Sequence, residues 1–127
     1  MSRELPDEVA AFLTAHVDSV EQLEALLLLH RTRPRRWTAL QVSEELRTNV
    51  DSTRERLDEL VWRRQVVGRE QPGGRTYHVD GADPAVEALS EAYETRRVSV
   101  ITFIVSKPLE RIRSLADAFR IRRSHDG

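Results

Sequence analysis

Cysteine is absent from the 127 residues. That excludes disulfides, thiolate metal sites, iron–sulfur clusters and a cysteine nucleophile. Lysine is nearly absent as well: of 20 basic residues, Lys107 alone is lysine and the other 19 are arginine. No apolar run approaches the ~18 residues that cross a bilayer. The opening MSRELPDEVAAF lacks the charged-then-apolar layout of a secretory signal. The expected compartment is therefore the cytoplasm, with no membrane partner. A dominant charge is missing too, since 20 bases face 21 acids for a formal net charge of −1. That weighs against a protein that coats nucleic acid by bulk charge. What is present, 39% hydrophobic and 32% charged residues, makes a soluble globular chain of about one domain.

The near-zero charge conceals a segregation. Residues 1–30 hold one base and six acids, 81–95 hold four acids and no base, and 38–80 are close to balance. Residues 31–37 (RTRPRRW) hold four arginines, and residues 96–127 hold eight bases against three acids. These two basic islands are where an anionic partner would sit. Arginine at such places forms planar, bidentate contacts with phosphate and guanine. GC-rich coding gives the same arginine excess without a function.

Local signals place the elements. Pro6 fits the first turn of a helix over 7–17, with Val9, Phe12, Leu13 and His16 on one side. Ser19 with Gln22 reads as a capping box opening a helix from Val20 to about Arg31. Its run Leu26–Leu29 covers most of the circumference, which predicts a central core helix. Thr38 with Gln41 caps a short helix of about ten residues, and Ser52 with Glu55 caps another that runs to about Arg64. Val66-Val67, the turn Gln71-Pro72-Gly73-Gly74 and the strand Thr76–Val79 form a hairpin. Asp83-Pro84 opens a helix expected to continue to about Val105, although the β-branched VSVITFIVS (98–106) also suits a strand. Ser106-Lys107-Pro108 is read as a break. A final basic amphipathic helix follows, with Leu109, Ile112, Leu115, Ala116 and Phe119 on its apolar face.

Helix, basic loop, short helix, tight turn, helix and hairpin, in that order over residues 20–80, resemble the winged helix-turn-helix domain of bacterial transcriptional regulators such as the MarR-like group. The matching residues are Trp37–Leu46 for the second helix, Ser52–Val61 for the recognition helix, and Val66–Arg69 with Arg75–Tyr77 for the wing. The resemblance implies a mainly α fold with a small β-hairpin wing. It divides the chain into a winged helix-turn-helix domain with its N-terminal helix (1–81) and a C-terminal helical extension (82–127). It also implies a recognition helix in the major groove, a wing on the backbone or minor groove, and symmetric dimers.

On that reading the contacts to double-stranded DNA are Ser52, Arg54, Arg56 and Arg75, with Arg33, Arg35 and Arg36 on phosphates. The buried face of the recognition helix is expected to centre on Leu57, Leu60 and Val61. The opposite face is then Ser52, Glu55, Arg56, Glu59, Trp62 and Arg63. Glutamates there accept from cytosine N4 and repel phosphate. The alternative is a winged-helix adaptor that binds a protein through Trp62 and the C-terminal residues Leu109, Ile112, Ala116 and Phe119. Those residues serve equally as a homodimer interface within 84–122. A ligand pocket between the C-terminal helices and the domain is a third reading, without a polar constellation to name the ligand.

No enzyme signature emerges. Gly73-Gly74 is a hairpin tip and not a phosphate loop, which needs a lysine and a following helix. The acid pairs Glu44-Glu45 and Asp58-Glu59 are helix neighbours that point about 100° apart. Ser19, Ser52 and Ser106 read as caps. His16, His30, His78 and His125 have no metal-ligand spacing, so no metal and no cofactor is expected.

Overall fold

The computed structural model describes residues 5–108. The elements are α1 (Asp7–His16), α2 (Val20–Arg31), β1 (Trp37–Thr38), α3 (Ala39–Leu46), α4 (Val50–Trp62), β2 (Val67–Gln71), β3 (Gly74–His78) and α5 (Pro84–Thr95), followed by a helix over 97–108, here α6. The final amphipathic helix and its residues Leu109, Ile112, Ala116 and Phe119 lie outside the described residues.

Leu26, Leu27, Leu28 and Leu29 are all buried. A helix that is apolar on every side has to be enclosed, and each buried leucine contributes about 1.5–3 kcal/mol relative to exposure. Accordingly α2 packs against α3, α4, α5 and β3. α1 packs on α5, so the elements on either side of the expected boundary near residue 81 lie against one another.

The sheet has three antiparallel strands in the order β1-β3-β2. The hairpin was legible, but β1 was not, because two residues carry no alternation to read. Trp37 pairs with Tyr77 across it, is buried, and donates its indole N–H to Thr32 Oγ1 at 2.9 Å. This ties the start of the winged unit to the end of α2.

Four local expectations need correction. The Thr38–Gln41 capping box forms in both directions, but the one at Ser52–Glu55 does not. Instead Asn49 caps α4, accepting from Ser52 N at 3.0 Å, and Ser52 lies within the first turn. Ser19 does accept from Gln22 N, yet the Gln22 side chain accepts from Asp18 N, one residue before the cap. Residues 98–106 are helical, not a strand, but the expected single helix from Pro84 is interrupted at Arg96 (φ −138°, ψ 48°). Finally, helix continues through Ser106, Lys107 and Pro108, so Ser106 is no cap. A break was read there because proline ends many helices, but here the helical backbone runs through the segment whose Lys107 is anchored to α1.

Lys107 explains why that segment stays put. Its Nζ donates to the carbonyls of Leu13 (2.8 Å), Thr14 (3.1 Å) and Val17 (2.5 Å) and to Asp18 Oδ1 (3.0 Å). The last carbonyls of a helix have no partner within the helix, and here a buried ammonium supplies them. Asp18 also pairs with Arg63 at the end of α4. One side chain thus joins α1 to α6, and its carboxylate partner joins both to α4.

These contacts set an acid limit on stability. Burial tends to raise the Asp18 carboxyl, but the hydrogen bond and charge of Lys107, followed by Arg63, outweigh it and hold it below its ordinary value. His30 is also lowered, by burial first and then by the Arg33 guanidinium, against the pull of Glu87 and Asp83. Its two ring nitrogens face the Arg33 guanidinium (3.2 Å) and the Asp83 backbone N–H (3.3 Å), so an imidazolium would meet donors on both sides. A depressed pKa contributes stability above the unfolded value that is lost as pH falls toward the folded one. Unfolding free energy should therefore decline below about pH 6.5 through His30 and again below about pH 4 through Asp18. Urea titrations across pH in Asp18→Asn should lack the lower step, and an unchanged curve would refute the assignment.

Candidate nucleic-acid interface

α3, the turn at Arg47–Asn49 and α4 form the helix-turn-helix. Arg47 takes a left-handed conformation (φ 58°) and lets Thr48 N reach Ser43 O at 2.9 Å. The Thr48 and Thr53 hydroxyls then meet at 2.6 Å, which fixes the turn to α4.

α4 sits with a different rotation from the one its leucines suggest. Thr53, Leu57 and Leu60 are buried, while Val61 is only half-buried. The physical reason is that α4 packs against α2 as well as α3. Ser52 donates to Glu21 Oε1 at 2.7 Å, Glu59 accepts from Gln22 Nε2 at 2.9 Å, and Arg63 pairs with Asp18. Ser52, Glu59 and Arg63, expected on the outer face, thus lie along the flank against α2 and the α1–α2 turn. At 100° per residue the outward stripe becomes Asp51, Glu55, Asp58 and Trp62, with Arg54 beside it. Trp62 is 85% exposed, so it does not pack beneath any described element.

Most of the other expected contact residues are engaged. Arg54 pairs with Asp51 at 3.0 Å. Arg56 pairs with Glu55 at 3.0 Å and Glu59 at 3.2 Å. Arg33 donates to His30 O at 2.6 Å and lies 3.6 Å from Glu87. Arg35 stacks 3.8 Å from the Trp37 ring centre. Arg36 is exposed and has no ion-pair partner among the described residues.

Arg75 folds back along the wing. It lies across Gly68, where an added Cβ would come within 2.6 Å of its guanidinium, and reaches Asp58 Oδ1 at 3.0 Å. Tyr77 donates to the same oxygen at 2.7 Å. Burial, and then the Asp58 carboxylate, push the Tyr77 phenol well above its ordinary pKa, so it stays a donor. Asp58 is therefore a latch between α4 and the wing. Sequence reasoning missed it because it was weighed only as half of an acid pair.

Between the start of α3, α4 and the wing tip lies a cleft of about 370 Å³. Thr38, Leu40, Arg54, Gly73, Gly74 and Arg75 line it. A larger hollow of about 700 Å³ lies elsewhere, between α1 and α6, lined mainly by apolar residues including Val98 and Phe103. Among the described residues no group of three or more His, Asp or Glu converges as a metal site would require, and no helix is long and apolar enough to cross a membrane.

The helix-turn-helix followed by a hairpin wing on a shared sheet defines a winged-helix protein. No protein-family model matches the chain, and no curated protein matches it significantly. A solved structure of Bordetella bronchiseptica BpsR, determined to explain the regulation of its DNA binding by 6-hydroxynicotinic acid, is similar over 94% of this chain and 86% of its own, with 17% identity and a TM-score of 0.48.

Proposed function

We propose that this protein is a dimeric winged-helix regulator of transcription that binds double-stranded DNA. The observation that carries the reading is the cleft where Arg54 and Arg75 stand beside the capped start of α3 and the wing tip. A phosphate there meets two guanidiniums and the positive end of a helix. The Arg54–Asp51 and Arg75–Glu70 pairs are exposed enough to be worth only about 0–1 kcal/mol each, so phosphate competes with them, and for Arg75 with Asp58 as well. Arg35 and Arg36, in the loop before α3, are the further phosphate contacts proposed, while Arg33 is turned to His30 and Glu87. Ser52 and Arg56, turned toward α2, support α4 rather than leading the contact. The outward carboxylates Asp51 and Glu55 suit cytosine amino groups and oppose phosphate.

An exposed stripe on α6 supports a second copy of this chain as partner. Val98 and Val105 are exposed and Ile101 is half-buried, at i, i+3 and i+7. Such a stripe suits the seam of a helix pair, which supports the proposed homodimer interface within 84–122.

A salt series on a mixed-sequence duplex tests the reading. Affinity should fall by ~0.9 log unit per log unit of salt for each phosphate contacted. Arg54→Ala should remove about one contact from that slope, and Glu55→Gln should tighten binding. No binding at low salt would defeat it.

A further inference from the structure

Three aromatic rings in this chain carry an arginine. Arg35 covers Trp37 at 3.8 Å, Arg97 covers Tyr93 at 4.4 Å, and Arg75 lies 5.5 Å from Tyr77. Of the Trp and Tyr residues described, Trp62 is the one without such a cover, and it is by far the most exposed.

Its surroundings complete a receptor for the missing cation. Trp62 lies in an open groove of about 470 Å³ with Asp18, Glu55, Asp58, Glu59 and Arg63. The groove holds cations as well, but they sit deeper. The Glu55 side chain is 71% exposed while its partner Arg56 is 25% exposed. Likewise Asp18 is more exposed than Arg63 and Lys107, and Asp58 more than Arg75. What faces outward is carboxylate around an indole. A guanidinium laid on that indole would keep its N–H groups in plane, free to donate to Glu55 or Asp58.

From this complementarity we propose that the C-terminal half of α4 is a docking site for an arginine-bearing segment of a partner protein, with one arginine stacked on Trp62. The site shares the outward face of α4 with the proposed DNA contact, through Glu55, but does not use the Arg54–Arg75 cleft itself.

Tryptophan emission reads it directly, because Trp62 is exposed while Trp37 is buried. Full-length protein is titrated with nona-arginine, nona-lysine and a DNA duplex, with iodide quenching to isolate the exposed indole. Nona-arginine should protect Trp62 and bind several-fold more tightly than nona-lysine, whose ammonium does not stack as a plane. Trp62→Ala should weaken nona-arginine binding by about fivefold, with Glu55→Gln giving a smaller loss. Because Trp62 is so exposed, its replacement leaves the fold intact, and circular dichroism checks this. Equal binding of the two peptides, or a Trp62→Ala variant that binds as before, overturns the proposal. So does protection of Trp62 by the duplex but not by nona-arginine, which assigns the face to nucleic acid.

Discussion

Replacing Lys107 with methionine should lower the unfolding free energy by about 3 kcal/mol, the scale of removing one member of a buried charged network. The loss comes from what stays behind. The carbonyls of Leu13, Thr14 and Val17 lose the ammonium, although Leu13 O keeps the Val17 N–H, and Asp18 loses the Lys107 charge beside it. Methionine has nearly the same length and fills the space, so the variant separates hydrogen bonding from packing. For a chain of this size the midpoint should fall by roughly 10 °C. Lys107→Arg should not restore it, because a planar fork does not match three converging carbonyls and a carboxylate. Urea unfolding of both variants decides the matter. A methionine variant within about 0.5 kcal/mol of the parent would show that water serves those carbonyls equally well.

Asp58→Ala should cost about 2 kcal/mol, mostly through Tyr77. The Tyr77 ring is fully buried and its hydroxyl gives its proton to Asp58, a charge-assisted bond that costs more to lose than a neutral one. The Arg75 contribution is smaller because that pair is partly exposed. Asp58→Asn keeps an acceptor for the phenol and should retain more than half of the difference. Hydrogen exchange of the β2 and β3 amides should quicken in Asp58→Ala with little change in α2. The same variant frees Arg75, so duplex affinity should rise while stability falls. A joint loss of both would mean that Asp58 shapes the DNA surface instead of competing with it.

The helices were readable where one strong local signal stood alone. Leucines 26–29 defined α2, and Thr38 with Gln41 defined the start of α3. Where two signals competed, the weaker pattern prevailed on paper: Ser52–Glu55 matched a capping box, but Asn49 lay three residues earlier and took the cap. The fold around β1 depends on Trp37 meeting Tyr77, a pairing 40 residues apart that periodicity does not encode. The rotation of α4 was missed for a related reason. Its apolar residues report the α3 side, while the α2 side is held by polar bonds from Ser52, Glu59 and Arg63, which read as surface residues in sequence. For the candidate site, the sequence singled out the arginines and Trp62 as candidates but not the side chains they pair with or stand beside. An arginine's role depends on which carboxylate reaches it first, and that is set by tertiary packing.

The lone lysine has a consequence for how this protein's charge is controlled. Acetylation and other amine-directed modification neutralise lysine and leave arginine untouched. The described surface presents its positive charge through guanidiniums alone, since the one ammonium is enclosed among carbonyls of α1. Its basic edge therefore keeps a constant charge under acylation and across the whole physiological pH range. Any tuning of that edge has to come from the acidic neighbours that hold the arginines, or from a partner that displaces them.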